Sequence, residues 1–334
     1  MSGLRTYRNF DLKDTPPLTD KVAVVTGGNA GFGREIVAQL LKHDISKVYV
    51  LARSPEKFQQ AIDYWKELQV PEDRVEFRKC DLSDITVAKK VADDLMQKLD
   101  RLDMLINNAG SPPVKDYTLS PQGIETIFAA NVVGVFVLTN VLLPKLESTA
   151  EKHGNSRIVV TSSSLHMGCQ ELDLDLTMSP TPIKSPAALD SCWRYARSKL
   201  GNILFTRELA RRLDKRGSAK VYANCFFPGN IPTEAMDVWK DLFGSLGGTA
   251  LKELFQIIGQ SPIDAAATAI YLAASPEVES KDQKGKYFIP IATEDGTSKL
   301  AEDKDLARNL WYWCDDKATK ALGKGWPDGP STPN

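Results

Sequence analysis

The stretch "KVAVVTGGNAGFGREIVAQLLK", residues 21–42, constrains this chain more than any other. Its first six residues, 21–26, read as a buried β-strand, because β-branched side chains suit a packed, pleated surface. "TGGNAGFG" follows directly, with Gly27, Gly31 and Gly33 leading into the helix "REIVAQLLK". Such a turn lets backbone N–H groups and the helix N-terminus approach a pyrophosphate, since glycine removes the side chains that would block it. Three glycines alone describe no more than a tight turn. Their place between a first strand and a first helix favours a dinucleotide site, with Asn29 and Phe32 on the same turn.

The same alternation continues along the chain. Short apolar runs at 21–26, 48–52, 75–79, 104–107, 157–162, 221–226 and 286–289 read as strands, and amphipathic stretches near 33–42, 56–69, 86–98, 121–146, 190–216 and 262–274 as helices. Seven strands with crossover helices predict an α/β fold, a doubly wound parallel Rossmann sheet of order 3-2-1-4-5-6-7 with helices on both faces. "SPQGIETI" predicts a helix start with Ser120 as N-cap and Pro121 at the first helical position. A single domain over 1–334 is expected, with a core at about 20–290, a substrate lid at about 230–261 and a C-terminal helix and tail at about 300–334. The tail after Leu322, rich in Gly and Pro, is expected to fray.

Composition narrows the function classes. The 334 residues carry 42 Lys and Arg against 43 Asp and Glu, so no electrostatic case exists for nucleic acid or an acidic membrane surface. The polar start "MSGLRTYRNFDLKDTPPLTD" lacks the apolar core of a signal peptide, and no long uninterrupted apolar run suggests a membrane anchor. A cytoplasmic protein acting on a small molecule is expected. Cys80, Cys169, Cys192, Cys225 and Cys314 are odd in number and far apart, which disfavours a disulfide framework or a metal site. His43, His153 and His166 are too scattered to change that.

Cofactor choice is read at the end of the second strand. There "LARS" places Arg53 where an acidic residue would bind the ribose 2′-hydroxyl of NAD. A guanidinium pairs instead with a 2′-phosphate, so the expectation is NADP, with a solvated surface arginine as the plainer alternative. In "KCDLSD", Asp81 and Leu82 either hydrogen-bond and cover an adenine ring or form a turn. "NNAG", residues 107–110, ends the fourth strand at the carboxyl edge of the sheet, where its small residues permit close cofactor approach.

Taken in order, Thr26-Gly27-x-x-x-Gly31-x-Gly33, "NNAG", Asn131 in "NVVG", the serines after the fifth strand, Tyr195-x-x-x-Lys199 and "PGNIPT" at 228–233 resemble the short-chain dehydrogenase/reductase family. "RIVVTSSSLH" and "YARSKLGNILFTRELARRL" are most similar to its retinol dehydrogenase-like and WW-domain oxidoreductase-like branch, which includes fungal reductases of secondary metabolism. The sequence departs from that branch in having neither a WW domain nor a hydrophobic N-terminal anchor. The resemblance implies a catalytic tetrad of Asn131, Ser163, Tyr195 and Lys199. Aligning Arg157 with the arginine that opens the family's fifth strand selects Ser163 over Ser162 and Ser164. It also implies that Ile231 and Thr233 hold the nicotinamide carboxamide side, that Asn108, Ala109 and Gly110 line its ribose, and that Tyr195 and Lys199 contact the cofactor.

The chemistry explains the spacing. Hydride reduction of a carbonyl leaves an alkoxide that needs a proton donor and a hydrogen bond. A tyrosine supplies both if its pKa falls below its ordinary value of about 10, and a lysine ammonium one helical turn away pulls in that direction. By the same resemblance Ser163 would polarise the carbonyl, and Asn131 would hold a water that passes protons to the lysine. His166 near Ser163 raises a nucleophilic Ser/His reading, but no G-x-S-x-G elbow surrounds the serines, so a pocket wall or structural role is expected.

The long span from Ser163 to Tyr195 predicts an excursion over the active-site mouth. Met167, Trp193, Met236, Trp239, Leu242 and Phe243 point to an apolar or aromatic ketone, or else only anchor the loops. The helices at 121–146 and 194–213 are apolar on more than one face, which needs a thick core or a partner. The resemblance implies a homodimer through these helices, with a monomer as the alternative. An NADP-dependent carbonyl reductase or alcohol dehydrogenase is therefore expected. A dehydratase or epimerase has a different usual glycine spacing, G-x-x-G-x-x-G, and an NADP-binding scaffold or redox sensor needs no proton donor.

Overall fold

All seven expected strands lie in one sheet of the computed structural model, which describes residues 7–231, 259–323 and 325–326. They are β1 (Val22–Thr26), β2 (Lys47–Ala52), β3 (Val75–Lys79), β4 (Met104–Asn107), β5 (Ser156–Thr161), β6 (Val221–Phe226) and β7 (Tyr287–Ile289). They pair in parallel in the order 3-2-1-4-5-6-7. A two-residue β8 (Thr293–Glu294), absent from the sequence reading, adds antiparallel to β7. It is too short to leave a pattern of its own.

Alternation along each strand divides the core in two. In β1, Val24 faces one apolar layer while Ala23 and Val25 face the other, as the two-residue period of a strand requires. One face is covered by α1 (Gly31–Lys42), α2 (Pro55–Glu67) and α6 (Pro262–Ala274). The other is covered by α3 (Ile85–Lys98), α4 (Thr126–His153) and α5 (Ala187–Lys215). Two short helices, α7 (Pro276–Ser280) and α8 (Lys299–Glu302), precede the last, α9 (Lys304–Leu322). By length and composition α4 could cross a membrane, but it is mostly buried here as a core helix.

Two expectations about elements are corrected. Ser120 is not a helix N-cap: residues 120–123 form a turn with Gly123 at φ +72, and Leu119 bridges to Glu125. The helix begins at Thr126, capped by the Glu125 carboxylate, which accepts from the N–H groups of Ile127 at 2.9 Å and Phe128 at 3.0 Å. A left-handed residue inside the expected first turn is incompatible with a helix starting at Pro121. Nor is the tail frayed at Trp326, which is buried and donates from Nε1 to Asp315 Oδ1 at 2.9 Å. The substrate lid expected at about 230–261 lies mostly outside the described residues.

The second apolar faces of α4 and α5 are covered from within the chain. Trp311 of α9 packs edge-on to Phe136 at 4.9 Å and stacks on Phe205 at 5.8 Å, while Trp326 lies 5.7 Å from Phe136. This supplies the thick core that those helices require and removes the packing argument for a second subunit.

Candidate active site

The turn between β1 and α1 is shaped by contacts that only glycine permits. A Cβ on Gly33 would sit 2.3 Å from Asn108 Nδ2 and from the Gly27 carbonyl, and Gly27 itself holds φ +65. The side chains around the turn brace it: Asn108 Nδ2 donates to the Thr26 carbonyl at 3.0 Å, and Thr26 Oγ1 accepts from Ala109 N at 2.9 Å. Helix α1 starts at Gly31 with no side-chain cap. Its first N–H groups are therefore open to an acceptor from outside the chain, such as an anionic group.

Around this turn the expected cofactor residues divide into two kinds. Arg53 is exposed and has no ion-pair or hydrogen-bond partner among the described residues, which suits a guanidinium waiting for a phosphate. Asn29, by contrast, is buried and spends its amide on the Ser54 carbonyl at 3.1 Å, tying the turn to the end of β2. Asp81 forms the turn that the sequence held as one alternative, accepting from Ser83 N at 3.0 Å and Ser83 Oγ at 2.7 Å. Leu82 joins the buried core, and Phe32 is half-buried against the opposite layer. Ile231 is partly buried, and Thr233 lies outside the described residues.

At the carboxyl ends of β4 and β5 the structure brings together Asn131, Ser163, Tyr195 and Lys199. The Ser163 side chain acts on the Tyr195 phenol and favours its ionised form, and the Lys199 ammonium lies 5.5 Å from the Tyr195 ring centre. Lys199 Nζ donates to the Thr161 carbonyl at 3.1 Å. Gly110 closes the group: a Cβ there would lie 3.2 Å from Lys199 Nζ and 3.3 Å from Asn131 Oδ1. Ser162 Oγ donates to the Lys199 carbonyl at 2.9 Å, while Ser163 Oγ accepts from Leu165 N at 3.2 Å.

Asn131 sits in a π-helical segment, Ala129–Val133, within α4, the kind of interruption that clusters at functional sites. Its Oδ1 accepts from Ser111 N at 2.6 Å, and its Nδ2 donates to the Ser111 carbonyl at 3.1 Å and to Ser198 Oγ at 2.9 Å. Ser198 Oγ in turn donates to the Tyr195 carbonyl at 2.8 Å. The asparagine side chain is thus engaged in joining the loop after β4 to the part of α5 between Tyr195 and Lys199. Sequence reasoning missed Ser198 and Ser111, although Ser198 lies inside the Tyr-x-x-x-Lys spacing and faces Asn131 one position before the lysine.

Burial dominates the charges at this site. It pushes the Tyr195 phenol up to about 12, with the Ser163 side chain opposing it, and pulls the Lys199 ammonium down to about 8. Desolvation in the free protein thus works against the lowering that the lysine and a positive nicotinamide ring are expected to give. His166 is fully buried, its Nδ1 lies 2.6 Å from the Ser163 carbonyl, and its ring meets Tyr287 edge-on. Burial lowers its pKa, so the ring is neutral and Nδ1 carries the proton donated to that carbonyl. It holds the Ser163 backbone rather than activating the hydroxyl, which matches the structural reading.

The mouth carries exposed apolar side chains. Leu165, Met167, Met178, Ile183 and Leu189, all between Ser163 and Tyr195, are exposed, and Trp193 lies between the cations of Lys184 and Arg197. Met236, Trp239, Leu242 and Phe243 lie outside the described residues. Among the described residues no group of His, Cys, Asp and Glu could hold a metal ion, and all five cysteines are free thiols.

Known proteins resemble this chain in sequence and fold. Residues 21–170 match the family model described as short chain dehydrogenase. A short-chain dehydrogenase/reductase of Armillaria gallica is 34% identical over 308 residues, 92% of this chain and 93% of that protein. Retinol dehydrogenase 14 of Homo sapiens is 34% identical over 307 residues, 87% of this chain and 84% of that protein. Among solved structures, an uncharacterised protein from Mycobacterium paratuberculosis aligns with a TM-score of 0.69 and 26% identity, covering 93% of this chain and 97% of its own. A short chain dehydrogenase from Escherichia coli, complexed with NADPH, shares the fold with a TM-score of 0.58 and 23% identity, covering 82% of this chain and 97% of its own.

Proposed function

Given that the chain belongs to the short-chain dehydrogenase/reductase family, in its retinol dehydrogenase-like branch, we propose that it is an NADP-dependent oxidoreductase interconverting a carbonyl and an alcohol on a small hydrophobic substrate. The observation that carries this reading is the Lys199 ammonium 5.5 Å from the Tyr195 ring centre and anchored on the Thr161 carbonyl at the end of β5, on the same edge of the sheet as the uncapped start of α1.

Gly31, Phe32 and Gly33 would hold the cofactor's diphosphate through their N–H groups, Arg53 would hold its 2′-phosphate, and Asn108, Ala109, Gly110 and Lys199 would line its nicotinamide ribose. NADPH, when bound, supplies the hydride. Ser163 donates a hydrogen bond to the substrate carbonyl, which raises its affinity for hydride and steadies the oxyanion that forms. Tyr195 then gives its proton to that oxygen. Because burial keeps the phenol protonated up to about 12, the site is poised for reduction at neutral pH. The Lys199 charge counts at the moment the phenolate appears, when attraction between opposite charges in a desolvated site is strongest. The apolar side chains of residues 165–189 favour an aromatic or aliphatic ketone over a charged one.

Mixing the full chain with NADPH and a panel of hydrophobic ketones and quinones, followed at the nicotinamide absorbance, tests the reading. Oxidation of NADPH by at least one member is expected, and Tyr195→Phe is expected to lower kcat about 10²- to 10⁴-fold while NADPH still binds. Turnover by the phenylalanine variant at the wild-type rate would falsify the assignment of the acid.

A further inference from the structure

Immediately before the proposed acid lies a buried charge network that the tetrad does not use. Arg194, Glu125 and Asp190 are 3%, 3% and 1% exposed. Arg194 reaches three acceptors in three directions: Nε donates to Asp190 Oδ2 at 2.6 Å, one terminal nitrogen to Glu125 Oε1 at 2.9 Å, and the other to the Val114 carbonyl at 2.8 Å. The Tyr117 ring lies 5.3 Å from the guanidinium carbon.

The acceptors tie three segments of the chain to the helix that carries Tyr195. Val114 is four residues beyond Gly110, in the loop that leaves β4. Glu125 caps the start of α4, six residues before Asn131. Asp190 uses its other oxygen to accept from the N–H groups of Ile183 at 3.0 Å and Lys184 at 2.9 Å, in the excursion that follows Ser163. A second buried guanidinium, Arg197, holds the Asp173 carbonyl, and it shares with Glu125 and Arg194 the lining of a small cleft. Two buried cations thus stand against two buried carboxylates, so the cluster is neutral as a whole.

Burying four charges is costly, and such networks add little net stability over an apolar replacement; registering parts against one another is their best-attested use. A planar fork suits this position because it bonds in several directions from one rigid group, whereas a lysine offers a single nitrogen. Resting on the functional reading above, we propose that Arg194 is a positioning residue that locks the loop after β4, the start of α4 and the excursion 169–186 to the helical turn of Tyr195, fixing the acid relative to the substrate mouth.

The test compares the full-length wild type with Arg194→Lys and, as a milder change that keeps an acceptor for Ile183 and Lys184, Asp190→Asn. With a ketone that the wild type reduces, Arg194→Lys is expected to lower kcat at least tenfold while the NADPH dissociation constant stays within twofold. Amide hydrogen exchange should quicken in peptides covering 112–118 and 183–190 and stay unchanged in β1 and α1. Asp190→Asn should move the same readouts less, and it carries the test if Arg194→Lys does not fold. An unchanged kcat with unchanged local exchange overturns the proposal, as does a kcat loss matched by equal weakening of NADPH and faster exchange throughout the chain. A wild type that oxidises NADPH with no ketone sinks the functional reading alone; the exchange difference then still upholds or overturns the lock.

Discussion

Lys199 shows how one buried charge sets opposite trends in activity and stability. Its ammonium titrates at about 8 in the folded chain, against an ordinary value of 10.5. Below that pH it is charged and favours proton release from Tyr195; as pH rises through about 8 the charge is lost. The kcat/KM for ketone reduction, which reports groups of the free protein, is expected to fall above about pH 8. Between about 8 and 10.5 the unfolded chain holds a proton here that the folded chain has released, so this lysine's contribution to stability rises with pH. Denaturant titrations with and without Lys199→Met would show that slope vanish with the side chain. Arg53 has a simpler role: Arg53→Asp should weaken NADPH by tenfold or more relative to NADH, because it sets a carboxylate against the 2′-phosphate. Equal affinities before and after would remove the NADP assignment and leave the tetrad untouched. Strand ends and helix spacing located both residues in the sequence; the burial that moves the lysine was not legible, since it depends on β4, β5 and α4 closing around it.

Elements were legible where their signals are local. β-Branched runs marked the seven strands, and the glycine turn marked the first crossover. The start of α4 was misjudged because Ser120 and Pro121 carry the right local chemistry while Glu125, the residue that caps the helix, is held by Arg194 sixty-nine positions later. A partner at that distance leaves no local trace; the four-residue spacing of Asp190 and Arg194 was the available hint. The packing of α9 was hidden for the same reason. Trp311 is 3% exposed between Phe136 and Phe205, with the Arg212 guanidinium 4.5 Å from its ring centre. Trp311→Ala is expected to cost about 3–5 kcal/mol in chemical denaturation, the range for emptying a buried aromatic site. A loss under about 1 kcal/mol would mean that the helix contributes little to the core.

For the molecule as a whole, α9 and Trp326 bear on assembly. They occupy the outer faces of α4 and α5, which the resemblance had implied as the dimer interface. The chain is therefore expected to sediment as a monomer at micromolar concentration. A stable dimer that persists on dilution would require a contact elsewhere on the surface.

The same capping arrangement orders events in time. Helix α9 and Trp326 close the layer begun by α3, α4 and α5, yet they are synthesised after all three of those helices. While the ribosome is still adding residues after β7, the apolar flank of Phe136 and Phe205 lacks its cover and is open to association with other nascent chains. A message cut short before codon 304 should consequently yield insoluble product even though it encodes the whole tetrad.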